Sequence, residues 1–328
     1  MGTQRYLLGK IAQVLFTLFF ILTFNFFLFR IMPGDPVTLL VRSAGAELTP
    51  EQQDELRADL GLDKPIFPDQ YVDYMRDTLT GNFGVSTIID PGRPVSEIFW
   101  ERMGRSFILL FTSTVASIAI GTLMGIYGGW RRGGRVDNGS MVGSMILYSM
   151  PEYVLGILLL LLFANVFQIF PTAGYIDPVA DYTGLAYVAD YLNHMALPFL
   201  TLTLAYLGEY YLLMRSSLLD VMGEEFITLA RAKGVREKYV LRRHAVRNAL
   251  LPTVTLIALS FAFVLGGAIT VELVFTYPGV GLLSYDALVN RDFPVLQGTF
   301  LFFSVAVLLA NLIADLTYGY LDPRVRTA

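Results

Sequence analysis

The stretch GEEFITLARAKGVREKYVLRRHAVRNALLP, Gly223 to Pro252, is the one long polar segment in the second half of an otherwise apolar chain. Its punctuation predicts two short helices at an angle. Gly223 can cap the first; Glu224 and Glu225 sit at its positive end, Arg231 and Lys233 at its negative end, and Gly234 stops it. Met222, Phe226, Leu229 and Ala230 fall on one face at helical spacing. The second helix starts near Arg236 and runs into Pro252. Seven basic residues lie between Arg231 and Arg247, against one acid, Glu237. A basic, partly apolar helical hairpin therefore sits between two hydrophobic runs, and its apolar face must pack against this chain or another. Attraction to anionic lipid would account for the charge alone. Docking to a partner protein would also account for the glycine-punctuated helix pair and the apolar face.

Working outward, the chain of 328 residues is 54% hydrophobic and only 16% charged, where a soluble protein carries about 25%. Mean hydropathy is +0.55, and the apolar residues come in long blocks. The class is an all-α polytopic membrane protein. About six spans are expected, at 11–29, 107–130, 141–170, 197–214, 249–271 and 293–314. The first is read as a retained span, since no small-residue cleavage site follows it; Pro33-Gly-Asp-Pro36 ends it. The chain divides into a tail with the first span (1–36), a polar lobe (37–102) and a core (103–328) that contains the hairpin at 219–252. In the lobe, Thr49-Pro50-Glu51 opens a short amphipathic helix with Leu56 and Leu60, stopped at Gly61, and a second helix runs from Gln70 to Leu79. Gly121-xxx-Gly125-xxx-Gly129 in the second span is spacing that admits another helix closely.

Charge sorting sets the orientation. Arg5, Lys10, Arg131, Arg132, Arg135, the hairpin's cations, Arg324 and Arg326 share one side. The loop at 171–195 has no Lys or Arg, and that at 272–292 has only Arg291. The basic side is cytoplasmic by the positive-inside rule. Both termini and the hairpin then lie inside, and the 37–102 lobe lies outside.

No catalytic constellation is present. There is no Gly-xxxx-Gly-Lys-Ser/Thr, so nucleotide binding through a P-loop is not expected. There is no cysteine, and two histidines, His194 and His244, are too few for a histidine metal site. Three carboxylates lie in or at the edge of spans: Glu152, Glu209 and Glu272. An ionisable group there faces a bundle interior or water, so each either lines a pathway for a polar or cationic solute or makes an interhelical hydrogen bond. Pro151 is expected to kink the third span.

Several motifs then converge. Ala230-Arg-Ala-Lys-Gly234 followed by Arg243-His-Ala-Val-Arg-Asn-Ala-Leu-Leu-Pro252 resembles the EAA loop of ABC-importer permeases, in the longer spacing of the dipeptide/oligopeptide/nickel permease family. Further matches run nearly end to end: Leu60-Gly-Leu-Asp63 with Pro65, Gly81-Asn-Phe-Gly84 with Ser86, Glu272-Leu-Val-Phe275 with Pro278-Gly279, Asn290-Arg-Asp292, Gln297-Gly298 and Asp322-Pro-Arg324. The long lobe after the first span is similar to that of the B-type subunit. The resemblance implies a type I importer in the inner membrane. Its expected parts are a second, C-type permease, two cytoplasmic ATPases and an extracytoplasmic substrate-binding protein. ATP and magnesium belong on the ATPases; this chain binds no cofactor and catalyses nothing. Carried over by position, Glu225, Ala230, Ala232, Gly234, His244, Asn248 and Pro252 form the coupling loop, with Glu224, Arg231 and Lys233 flanking. The implied cargo is peptide, with nickel, oligosaccharide or another solute as alternatives on the same architecture. Glu152 and Glu209 depart from the family's usual residues. Membrane lipid is a partner and nucleic acid is not. The rival classes are a proton-coupled secondary transporter using Glu152 or Glu209 as relay, and a receptor or scaffold.

Overall fold

The computed structural model describes residues 2–31, 41, 49–59, 62–264 and 267–321. The expected turn at Pro33–Pro36, the helix stop at Leu60–Gly61 and the closing Asp322–Arg326 segment lie outside those residues, as does the side chain of Leu56. Every regular element among the described residues is a helix, apart from one isolated antiparallel bridge between Val85 and Pro94. They group into two compact units, Met1–Gly104 with Gly279–Ala328, and Arg105–Pro278.

The first unit holds α1 (Gly2–Ile31), α2 (Pro50–Asp59), α3 (Tyr71–Leu79), the start of α4 (Val95–Trp130), α12 (Val280–Asn290) and α13 (Phe293–Leu321). Its core joins Val95, Ile98 and Phe99 of α4 to Val280 and Leu283 of α12 and Val295 and Leu296 of α13. The ring of Phe99 stacks on Phe302 with centroids 3.9 Å apart. Asn25 is buried in α1, where an unpaired amide would be costly. Its Nδ2 donates to the Gln297 carbonyl at 3.2 Å and to the Tyr74 hydroxyl at 3.3 Å, which ties α1 to α13 and α3. Asp292, between α12 and α13, is wholly buried yet accepts from Ser86 Oγ at 2.6 Å and from the amides of Ile88 and Ile89 at 3.0 Å each. Burial alone would raise its carboxyl; the hydrogen bonds from Ile89, Ser86, Ile88 and Thr87 outweigh burial and hold it below the ordinary carboxylate value.

The second unit holds the rest of α4, then α5 (Arg135–Ser149), α6 (Glu152–Leu159, continued by a π-helical turn to Val166), α7 (Leu185–Met222), α8 (Glu225–Ala232), α9 (Glu237–Tyr239), α10 (Val246–Phe263) and α11 (Ile269–Val274). The glycine stripe of α4 does what its spacing predicts. A Cβ on Gly121 would meet the Leu207 carbonyl oxygen at 2.7 Å, and one on Gly125 would meet that of Tyr211 at 2.8 Å. Only glycine lets α4 and α7 approach so closely. On another face of α7, Gly208 does the same against α5, where a Cβ would lie 2.5 Å from the Ser144 carbonyl oxygen.

Three of the expected spans differ in the structure. Among the described residues, four helices are long and apolar enough to cross a membrane, within α1, α4, α7 and α13. A fifth span arises if α5 and α6 count as one, but they are bent by 106° at Pro151, far more than a kink. Proline denies the helix a donor, and Pro151 instead caps α6 in an extended conformation. The expected span at 249–271 is also not one helix: α10 ends at Phe263, and α11 starts separately at Ile269. The expected span at 197–214 is the middle of a much longer helix. The 38 residues of α7 are roughly 57 Å long at 1.5 Å per residue, so it reaches well beyond about 30 Å of hydrocarbon.

Candidate transport cavity and coupling hairpin

The hairpin hangs from the end of α7. Gly223 closes α7 rather than capping α8; its amide donates to the Asp220 carbonyl at 3.0 Å, and Glu224 is the residue at the N-cap. Gly234 ends α8 as predicted. Its φ is +75°, the left-handed region that side chains strain, and its amide donates to the Arg231 carbonyl at 2.9 Å. Arg231 then forks onto Glu237, with Nε to Oε1 at 2.9 Å and a second nitrogen to Oε2 at 3.3 Å. The lone acid of the basic stretch thus bridges its two helices at the surface. Lys233 and Ala232 are exposed.

The apolar face is divided, which the spacing did not reveal. Ile227 is fully buried and Ala230 nearly so, packed with Met214 and Leu218 of α7 and with Val240, Ala245 and Ala249 beyond the turn. Phe226 and Leu229 are exposed at 41% and 57%. With Gly223, Glu225, Thr228 and Ala232 they line a shallow depression of about 630 Å³. The sequence reading put Met222, Phe226, Leu229 and Ala230 on one stripe; Ile227 and Ala230, three apart, form the stripe that packs inward, with Met222 packed against it. After α9 the backbone widens into a π-helical turn, Val240–Ala245. The His244 ring meets Tyr239 edge-on with centroids 5.9 Å apart, and its carbonyl accepts from Asn248 Nδ2 at 2.6 Å. Pro252 lies inside α10 and does not end it, so the second helix runs on into the apolar segment.

Higher on α7, a cavity of about 390 Å³ opens between α4, α7 and α10. Leu110 and Thr114 line it from α4, Tyr206, Glu209 and Tyr210 from α7, and Ser260 from α10, with Val264 and Gly267 beyond. Glu209, predicted from sequence, is here. Glu152 is beside it: its Oε2 accepts from the Tyr206 hydroxyl at 3.2 Å, and its Oε1 from Thr270 Oγ1 at 2.6 Å. Glu272 is elsewhere. It is fully buried in the first turn of α11 and accepts from Ser106 Oγ at 2.6 Å. Pro151 stands at the α5–α6 break and does not line this cavity. Tyr206, Tyr210, Thr114 and Ser260 escaped the sequence reading. The cluster Tyr206, Glu209, Tyr210 within one apolar helix was the available signal.

Between cavity and hairpin, α7 is clamped. Asp137 of α5, fully buried, takes a two-pronged contact from Arg215, with Nε to Oδ1 at 2.6 Å and a second nitrogen to Oδ2 at 2.8 Å. The Tyr211 hydroxyl and the Gly133 amide also donate to it, at 3.3 and 2.9 Å. This pair also went unpredicted, since Asp137 and Arg215 are distant in sequence.

Comparison with known proteins matches residues 117–327 to the family described as binding-protein-dependent transport system inner membrane component, and residues 3–91 to its N-terminal domain. The chain belongs to this family. It is an ABC-importer permease subunit, a multi-pass protein of the inner membrane. A probable peptide ABC transporter permease protein, y4tP, of Sinorhizobium fredii is 34% identical over 321 residues, covering 98% of this chain and 99% of that one. A putative peptide permease protein of Brucella suis is 34% identical over 322 residues, with the same coverage of both chains. The glutathione transport system permease protein GsiC of Escherichia coli is likewise 34% identical over 98% of this permease and 99% of its own length. The family works as a membrane subunit of a larger transport complex.

Proposed function

We propose that this permease forms half of the pathway of an ATP-driven importer for di- and oligopeptides. Its partners are a C-type permease, two cytoplasmic ATPases that carry ATP and magnesium, and an extracytoplasmic binding protein. Both termini and the hairpin face the cytoplasm, and residues 37–102 form a lobe on the other side. The exposed Phe226–Leu229 face beside its depression carries this reading. A hairpin built only to lie in water or on lipid headgroups has no need of a shaped apolar recess, whereas a docking helix does. Glu225 lines that recess. Ile227 and Ala230 fuse the same helix to α7, so a push on the hairpin from a closing ATPase reaches the cavity through α7. The names of the relatives, peptide and glutathione permeases, favour peptide over nickel, oligosaccharide or another solute as cargo.

The test is co-purification of ATPases with the permease, together with ATPase activity stimulated by loaded binding protein. Gly234→Pro and Arg231→Glu are expected to leave membrane insertion intact and to release or uncouple the ATPases. Retention of both properties in both variants would sink the docking role.

A further inference from the structure

The three carboxylates that looked alike in sequence have different fates. Glu272 is buried beneath Ser106, and both oxygens of Glu152 are taken by Thr270 and Tyr206. Glu209 has no hydrogen-bond or ion-pair partner among the described residues, and it lines the 390 Å³ cavity. That volume is within the range of ligand sites. Apart from the Thr114 hydroxyl, the other polar groups of the wall are already engaged. Tyr210 donates to Ser260 Oγ at 2.6 Å, Ser260 donates to the Leu256 carbonyl at 2.9 Å, and Tyr206 donates to Glu152. Among the described residues, no Lys or Arg lines the cavity. What remains is one free carboxylate and one threonine hydroxyl among two tyrosine rings, a set that attracts a cation by charge and by the ring quadrupole. An anionic group would meet like charge there, and a neutral sugar would find few free partners.

We propose that Glu209 is the subsite for the α-ammonium group of the peptide in transit, so that substrate enters this half of the pathway amino end toward α7. This deepens the peptide reading above and rests on it. The complete importer in proteoliposomes, with its binding protein, tests it. Uptake of a free dipeptide and of its N-acetylated form is compared for wild type and Glu209→Gln, with the affinity of the binding protein for each measured separately. The wild type is expected to favour the free form at the translocation step, and Glu209→Gln to lower that preference about tenfold, as loss of a hydrogen bond between charged groups would. An unchanged preference, with uptake intact, overturns the role of Glu209 and leaves the peptide reading standing. A wild-type complex that moves another solute but no peptide overturns both.

A second measurement does not depend on transport. The chain has no cysteine, so Thr114→Cys in the same complex supplies the one thiol of this chain, on the cavity wall, and its labelling is read on the separated permease band. With Glu209 present, a cationic methanethiosulfonate is expected to react several-fold faster than an anionic one, and free dipeptide should slow both. Adding Glu209→Gln should bring the two rates together. Equal rates before that change would overturn the proposal.

Discussion

The hairpin and the cavity both adjoin α7, the hairpin following its end and the cavity lying against its middle, yet they are built in opposite ways. The hairpin is local. Its caps, its left-handed Gly234 and its Arg231–Glu237 fork all fall within one short stretch. The cavity is assembled from α4, α7 and α10, and no two of its walls are close in sequence. The proposed docking role asks for one shape whatever the rest of the bundle does, and local stops and charges suffice for that. The proposed pathway role asks for a change of shape, which walls on separate helices permit. What joins the two is the clamp of Asp137 on Arg215, set on α7 between Glu209 and Leu218.

Breaking that clamp should have the largest effect. Asp137→Ala leaves a guanidinium with little exposure and no counter-ion. Removing one partner of a buried pair costs about 3–5 kcal/mol. The expected result is a large drop in the thermal midpoint of the purified permease, with loss of both ATPase retention and transport. If only ATPase retention were lost, α7 would not be the shared element. Ile227→Ala comes next. Truncating a fully buried isoleucine costs about 2–5 kcal/mol. The comparison predicts that the hairpin loosens while the cavity stays formed, read as faster proteolysis within 223–252 and unchanged labelling of a thiol at Thr114→Cys.

The same contrast explains how much could be read from the sequence. The class and the glycine stripe of α4 were legible because periodicity, composition and Gly-xxx-Gly spacing are local signals, and the family was legible through the resemblance of its motifs. Gly234 was legible for the same reason. The division of the hairpin's apolar face was not, because Ala230 fits a stripe with Phe226 and Leu229 as well as one with Ile227. Which stripe packs inward depends on Met214 and Leu218. The carboxylates were found but not ranked. Glu152 is answered by Tyr206 and Thr270, which lie 54 and 118 positions away, and Glu272 by Ser106, 166 away. Pro151 gave the place of a break but not its angle of 106°.

The smallest expected effect on stability is the sharpest test of the division. Leu229 stands beside Ile227's neighbours on α8 but is 57% exposed. Leu229→Ser should move the thermal midpoint very little, within about 0.5 kcal/mol of wild type, as surface changes do. A patch that only faces water would show nothing else. If Phe226 and Leu229 meet an ATPase, the same change removes an apolar anchor from the contact, and dissociation of the ATPases should quicken markedly while the permease alone is unaltered. Stability and assembly therefore come apart at Leu229 and move together at Ile227. Were Leu229→Ser to destabilise the isolated permease as much as Ile227→Ala does, the exposed face would belong to this chain's own core, and the recess beside it would have no partner to receive.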